Sequence, residues 1–243
     1  MHAIHEKADM PFNLKPEYIH DSYESTLLGT LPNSRYRLIW EHADPKSTTK
    51  KFIIGMCKRE EIDILVVGYH GVKGPKKDAT IMGSAVATLS TEAIIPTVII
   101  KNPIFRSETK MSRYNWLACL DGSELSNKCL ETSILLMDRN IDLLETYTIK
   151  QSEVNYEALE SKIKQIVQKN KIKNFKLTIE NLKGGSPSQQ VLDYIQNENT
   201  VNYHFTVLGT KGQGFFSKVS NKPIGSVADK IIRNSQTNIV LIL

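Results

Sequence analysis

Apolar and polar residues alternate in blocks through the second half of the chain, and the blocks change period in a regular order. Continuous apolar runs at Tyr114–Leu120, Leu143–Ile149, Phe175–Ile179, Phe205–Leu208 and Ile239–Leu243 predict strands. Between the first two, Leu125, Cys129, Ile134 and Leu136 recur at roughly helical spacing behind Ser123, whose hydroxyl suits an N-cap. Val154, Leu159, Ile163, Ile166 and Val167 mark a long amphipathic helix with lysines opposite. Ser186-Pro187 reads as an N-cap with proline in the first turn, where its missing N–H costs little, and Val191, Leu192 and Ile195 continue that helix. Gly225-Ser226 opens a fourth helix through Val227, Ile231 and Ile232. Strands alternating with helices predict a parallel sheet with right-handed crossovers. The uniformly apolar fourth and fifth strands fit that expectation, because parallel strands are buried on both faces.

The first half holds fewer blocks. A short piece at His2–Ile4 precedes a candidate helix at Pro16–Leu28 and a strand at Tyr36–Trp40. Asp44-Pro45 reads as an N-cap for a helix through Phe52, Ile53, Met56 and Cys57. A strand at Ile64–Val67, a glycine loop, a helix from Ser84 and a strand at Thr97–Ile100 follow.

These last elements are a repeat. Ile64–Gly71, Gly83-Ser84 and Ile94–Ile100 recur as Phe205–Gly212, Gly225-Ser226 and Asn238–Leu243, offset by 141 residues at the first glycines and 142 at the Gly-Ser pair and terminal strand. Matched order and spacing over a strand–loop–helix–strand unit predict two tandem domains. The boundaries drawn are 1–102 and 113–243, with residues 103–112 as linker. Aligned on the second copy, the first holds the end of strand two and everything after it, but lacks strand one and helix one.

Composition changes this picture little. The chain has 243 residues, 40% hydrophobic and 23% charged, as for an ordinary globular protein. Net charge is +5 and the pI about 8.9. The basic clusters Lys73–Lys77 and Lys169–Lys173 read as solvated surface, and no nucleic-acid motif accompanies them. Three cysteines, Cys57, Cys119 and Cys129, have neither metal-type spacing nor an even count, which suits a reducing, cytoplasmic compartment. No apolar run approaches the ~18 residues of a membrane helix. Neither nucleic acid nor membrane is expected as a partner.

In an open α/β sheet, ligands bind beyond the carboxyl ends of the strands, where strand order reverses. Three features of the second copy converge there. Asp121 ends strand one and can accept hydrogen bonds from a ribose or hold a cation. Gly209, Gly212 and Gly214 follow strand four, where glycines let successive backbone N–H groups approach an anion. Gly225-Ser226 starts a helix, whose free N–H groups and dipole favour negative charge. Each also has a plain structural reading, as tight strand–helix connections and a turn-capping aspartate. His70 and His204 suggest nothing by themselves, and Ser123 has no histidine partner nearby, so no catalytic residue or metal site is assigned.

The run Trp116–Glu124, with its Asp121-Gly122-Ser123-Glu124 turn, and the glycines Gly209, Gly212, Gly225 with Ser226 resemble the universal stress proteins. Gly68, Gly71, Gly83 and Ser84 fall on the same motif in the first copy. The resemblance implies two Rossmann-like domains of the adenine nucleotide alpha hydrolase type, with parallel sheet order 3-2-1-4-5. It also implies a regulatory protein that binds ATP or AMP, with or without Mg2+, at Asp121, Gly122, Gly209, Gly212, Gly214, Gly225 and Ser226, and at most slow ATP hydrolysis. Adenine and ribose are expected near Asp121 and Thr148–Ile149. The alternative it implies is an interaction module without nucleotide, pairing through the fifth strand as an internal pseudo-dimer or a homodimer.

Two departures matter. Twelve residues separate Gly212 from Gly225, and eleven separate Gly71 from Gly83, where the family pattern has nine. Gly214, separated from Gly225 by ten residues, can take the second glycine's role, and Lys211, Lys218 and Lys222 can add charge. The missing strand one is the second departure, because that strand is central in the family's order. Either the chain starts at an internal methionine of a longer protein, or the remaining strands pair differently, or a partner fills the gap. Truncation is the preferred expectation, and a native N-terminus at Met1 by mass spectrometry would refute it. Without a counterpart of Asp121, the first copy is expected to bind nucleotide poorly.

Overall fold

The alternating blocks of the sequence fold into β/α units. The computed structural model describes residues 2–4, 15–32, 35, 37, 39–42, 48–70, 78, 80–92, 94–102, 113–150, 154–197, 201–211 and 224–243. The chain divides into two compact units, Met1–Glu61 and Ile62–Leu243.

The smaller unit contains β1 (His2–Ile4), α1 (Pro16–Thr30), β2 (Trp40–His42) and α2 (Thr49–Arg59). The strands pair in parallel, His2 opposite Trp40 and Ile4 opposite His42. Pro16 sits in the first turn of α1, where its lack of an N–H is harmless. Of the strand expected at Tyr36–Trp40, Tyr36 and Leu38 lie outside the described residues, and the described strand runs Trp40–His42. The helix cap expected at Asp44-Pro45 lies outside the described residues. The described α2 is capped by Thr48, whose hydroxyl accepts the Lys51 N–H. At the other end of α2, hydrogen bonds from Arg59 and Arg37 hold the Glu60 carboxyl below its usual range.

The larger unit comprises β3 (Leu65–Gly68), α3 (Ser84–Glu92), β4 (Thr97–Ile100), β5 (Asn115–Cys119), α4 (Glu124–Leu136), β6 (Leu143–Ile149), α5 (Tyr156–Lys169), β7 (Asn174–Glu180), α6 (Pro187–Gln196), β8 (Phe205–Gly209), α7 (Ser226–Asn234) and β9 (Asn238–Ile242). Its sheet has seven strands in the order β3-β4-β9-β8-β5-β6-β7. Reading β5 to β9 as strands one to five gives the expected 3-2-1-4-5 order, all parallel. Ser123, Asn155 and Ser186 cap α4, α5 and α6 through their side chains. Val154, expected within the helix of α5, precedes the Asn155 cap. Two apolar layers cover the sheet. One gathers Leu117, Tyr147, Val191, Ile231 and Ile239, and the other gathers Trp116, Leu130, Ile163, Val207 and Val240.

The two repeat copies meet at one antiparallel pairing, β4 with β9. Thr97 faces Leu241, Val98 faces Val240 and Ile99 faces Ile239. With the 142-residue offset of this strand, Val240 is the repeat counterpart of Val98. A pseudo-twofold axis therefore passes through that pair. The inner pairings obey the same relation: Leu65 opposite Thr97 repeats as Thr206 opposite Ile239, and Val66 opposite Val98 as Val207 opposite Val240. Strands two and three of the first copy pair with each other as β1 and β2, while strands four and five, as β3 and β4, extend the larger sheet.

Side chains fasten the seam. Asn238 is buried, and its Oδ1 accepts the N–H groups of Lys101 (2.9 Å) and Asn102 (3.0 Å). The Lys101 ammonium donates to the Ser235 carbonyl (2.6 Å) and lies over the Tyr69 ring, and burial pushes its pKa down to about 8. Replacing Asn238 by alanine strands two N–H groups, a loss of about 1–3 kcal/mol. Urea denaturation of Asn238→Ala should record that destabilisation; an unchanged midpoint would mean the seam does not need the amide.

At the start of β8, buried His204 accepts the Asn115 N–H on Nδ1 (2.9 Å). Burial lowers its pKa, against a smaller opposing pull from Asp142. A lowered folded pKa means that protonation opposes folding. The stability linked to His204 is complete above the ordinary value of ~6.5 and is lost as pH falls through the folded value. Denaturation midpoints should decline between pH 7.5 and 5.5, and His204→Gln, which keeps an acceptor without the titrating proton, should flatten that decline.

Candidate functional site

The chain leaves β5 toward β6 and β7 on one side and reaches β8 and β9 on the other, so the strand order reverses between β5 and β8. At the end of β5 the Leu120 N–H donates to the Tyr147 carbonyl (2.9 Å), holding this end against β6. The next residue, Asp121, accepts the Ser123 N–H on Oδ1 (3.0 Å) and so shapes the turn. Gly122 has φ +83°, and a Cβ there would stand 3.0 Å from a Val154 methyl. Ser123 Oγ accepts the Ser126 N–H at 3.0 Å, so its hydroxyl is spent as a helix cap.

The end of β8 is crowded. A Cβ on Gly209 would lie 2.8 Å from Leu125 Cδ2, because the first turn of α4 packs directly over this glycine. The next residue, Thr210, donates its N–H to Ile242 (2.8 Å), and its carbonyl accepts the Gly225 N–H (2.6 Å). A Cβ on Gly225 would stand 3.0 Å from that carbonyl. Gly225 is the N-cap of α7 and offers no side-chain cap, which leaves the first-turn N–H groups for another acceptor. The one first-turn carboxylate, Asp229, is engaged by Arg233 Nε at 2.9 and 3.1 Å. Asp121, Gly122, Gly209, Gly225 and Ser226 thus lie at the carboxyl ends of neighbouring strands β5 and β8 and at the adjoining helix start. Gly212 and Gly214 lie outside the described residues.

The first copy repeats the backbone scheme with different walls. Gly68 ends β3, Tyr69 donates its N–H to Ile100 (2.8 Å), and the Gly83 N–H donates to the Tyr69 carbonyl (3.3 Å) ahead of Ser84 and α3. Where the second copy has Thr210, the first has Tyr69, a buried ring whose hydroxyl donates to the Thr80 carbonyl (3.3 Å). His70 stands edge-on to that ring, 4.9 Å between centroids. Gly71 lies outside the described residues, and none of the described strands occupies the position of β5 beside β3.

Burial disfavours the thiolate form of the cysteines near the site. Burial raises Cys119, the last residue of β5, to about 12. Burial raises Cys129 too, with smaller upward contributions from Cys119 and Asp121. His204 stands at the opposite end of β8 from Gly209 and cannot serve Ser123 as a base. Thr148, at the end of β6 where adenine was expected, is buried, and its hydroxyl has no hydrogen-bond partner among the described residues.

One cluster escaped the sequence reading. Glu145, fully buried within β6, accepts hydrogen bonds from Tyr203 (2.6 Å), Thr178 (2.8 Å) and Tyr194, and pairs with Lys176 (2.9 Å). Burial pushes its carboxyl up, but the hydrogen bonds outweigh that and leave it below the usual range. The signal was a lone carboxylate inside the run Leu143–Ile149. Its partners come from β7, α6 and the start of β8, which no spacing rule connects. The network fixes α6 against the sheet.

No family model matches this chain, and no curated protein does. Solved structures do. A universal stress protein from Archaeoglobus fulgidus superposes with a TM-score of 0.58 at 16% identity, over 96% of this chain and 81% of that one. A protein of Pseudomonas aeruginosa assigned to the same class superposes at 0.60 and 17% identity, over 91% and 77%. At these identities the likeness is one of fold: an α/β architecture of the universal stress protein type over most of the chain.

The crowding at the strand ends predicts what side chains do there. Gly209→Ala forces Leu125 aside, and Gly122→Ala adds a left-handed φ to a close contact; each should cost about 1–3 kcal/mol in chemical denaturation. The raised thiols predict that Cys119 and Cys129 resist a thiol reagent at pH 8 until the protein is unfolded. Rapid labelling of the folded chain at either position, read by mass spectrometry, would contradict that.

Proposed function

We propose that this chain is a universal-stress-protein-like regulatory protein whose 113–243 domain binds one adenine nucleotide, ATP or AMP. The observation that carries the reading is the cradle at the strand switch point. Gly209 and Gly225 are positions where a Cβ would collide with the packed backbone or with Leu125, and they bring the end of β8 against a helix start without a side-chain cap. A surface kept free of side chains beside a helix start without a side-chain cap favours an anion such as a phosphate. Asp121 supplies a carboxylate for ribose hydroxyls or a cation, and the Thr148 hydroxyl, without a hydrogen-bond partner among the described residues, supports the adenine or ribose end. Gly212 and Gly214 are proposed to complete the phosphate loop. The first copy, 1–102, is proposed as an incomplete domain of the same type, its weaker cradle being Gly68, Gly71, Gly83 and Ser84. Among the described residues no positioned base accompanies the site, and any hydrolysis is proposed to be slow at most. A bound Mg2+ would screen phosphate charge. Three cysteines without disulfides suit a reducing, cytoplasmic setting, and no described helix is long and apolar enough to cross a membrane.

A second reading has its own observation. The antiparallel β4–β9 seam joins the two copies through their fifth strands, as an interaction module of this fold class would. Here the internal pseudo-dimer would be the function and the second cradle a relic.

Calorimetry decides between them. Titration with ATP and AMP, with and without Mg2+, should give saturable binding at no more than one site per chain. Asp121→Ala should weaken it by about 1–2 kcal/mol without loss of fold, and Gly225→Val should abolish it. An absence of heat at millimolar nucleotide, with normal circular dichroism, rejects the nucleotide reading and leaves the interaction module.

A further inference from the structure

A cavity of about 720 Å3 opens at the amino ends of β8 and β9, away from the cradle at the other end of β8. Its floor is buried: Ile195 from the last turn of α6, Tyr203 and His204 ahead of β8, and Thr237 ahead of β9. Two of these polar groups are already engaged. The Tyr203 hydroxyl donates to Glu145 (2.6 Å), and the Thr237 hydroxyl lies 2.7 Å from those of both Thr206 and Ser235. The rim is exposed and carries the side-chain amides of Asn102, Gln196, Asn202 and Gln236. None of the lining residues is an acid, a lysine or an arginine.

His204 is the polar group at the bottom. Its Nδ1 accepts the Asn115 N–H, so the neutral ring carries its proton on Nε2. Burial favours that neutral form. Nε2 makes no hydrogen bond among the described residues. The buried side-chain atoms left without a partner among them are Asn115 Oδ1 and the Thr146 and Thr148 hydroxyls, and Nε2 is not one of these. The Nε2–H donor therefore opens to the cavity that His204 lines. The walls are held in place. Asn115 also donates its Nδ2 to the Asn202 carbonyl (2.8 Å), and the Asn102 amide donates to the Gln236 carbonyl (2.6 Å) across the seam between the copies. The end of α6 adds acceptors, because the carbonyls of a last turn have no partner within their helix.

We propose that this cavity binds a small neutral polyhydroxylated ligand, a sugar or polyol. A donor at the floor and carbonyl acceptors at the helix end suit a hydroxyl, which accepts and donates at once. The rim amides each offer both kinds of group to further hydroxyls. Without a charge among the lining residues, an anion or a cation has nothing there to pair with. Ile195 and Val201 supply apolar surface for the C–H groups of the ligand. A nucleobase is poorly served, because it stacks on an open aromatic face, and the lining ring of Tyr203 is only 3% exposed. The volume falls within the ~300–1,000 Å3 of small-molecule sites. The inference stands apart from the nucleotide reading, since it uses none of the cradle residues.

The probes are glucose and sorbitol, added to the intact protein, with adenine and inorganic phosphate as controls of other chemistry. Nitrogen NMR of the His204 ring reads the site directly. The expected result is a saturable shift of Nε2 with glucose or sorbitol and none with adenine or phosphate. Gln236→Leu and Asn202→Leu each remove a rim amide at an exposed position, and neither side chain has a hydrogen bond among the described residues, so circular dichroism stays unchanged. Each should weaken binding by about three- to tenfold, the worth of one hydrogen bond. Three results would each overturn the inference: no saturation by either probe at tens of millimolar, binding that ignores both leucine variants, or a His204 response to adenine or phosphate as large as that to the sugars.

Discussion

Val98 and Val240 face each other across two antiparallel strands drawn from distant parts of the chain, and the arrangement of the larger unit depends on that contact. An edge strand presents a row of backbone donors and acceptors that must find partners or water. β4 and β9 each end a parallel β/α series, and each satisfies the other. Since both strands come from the same repeat, the pairing is self-complementary about a local twofold, and the register leaves Val98 and its own counterpart on the axis. Asn238 then ties the residues just past β4 to the start of β9 through two backbone N–H groups. The other strands inherit their places from this junction by parallel addition, outward to β3 on one side and to β7 on the other.

The symmetry is local and is broken where function would be expected. Both cradles close with the same backbone hydrogen bond, from the glycine before the helix to the residue after the strand. Beyond that bond they diverge. The second has β5 alongside, with Asp121 at its end and α4 pressed onto Gly209. The first has a buried Tyr69 and an outer strand edge that pairs with none of the described strands. No described strand stands beside β3 as β5 stands beside β8, and Val66 is 61% exposed where its counterpart Val207 is buried.

The candidate site was only partly legible in the sequence. Asp121, Gly122, Gly209, Gly225 and Ser226 were readable because their residue types follow from local backbone demands at strand ends and helix starts. The contacts that enforce them were not. That Leu125 crowds Gly209, that Val154 crowds Gly122 and that the Thr210 carbonyl receives Gly225 are all relations between segments far apart in sequence. The Glu145 cluster was missed for the same reason: a buried carboxylate is tolerable only when its partners converge, and Tyr194, Tyr203, Thr178 and Lys176 lie on three separate stretches.

By itself the sequence determined the strand–helix alternation, the repeat, and the parallel 3-2-1-4-5 order implied by the family resemblance. These rest on periodicity and on local capping chemistry, which act over a few residues. Tertiary structure decided what a one-dimensional pattern does not encode. It brought the fifth strands together antiparallel and divided the first copy's strands between a two-stranded pair and the large sheet. Those outcomes follow from which backbone edges and apolar faces remain unsatisfied once the local elements have formed, and such a balance is struck only across the assembled sheet.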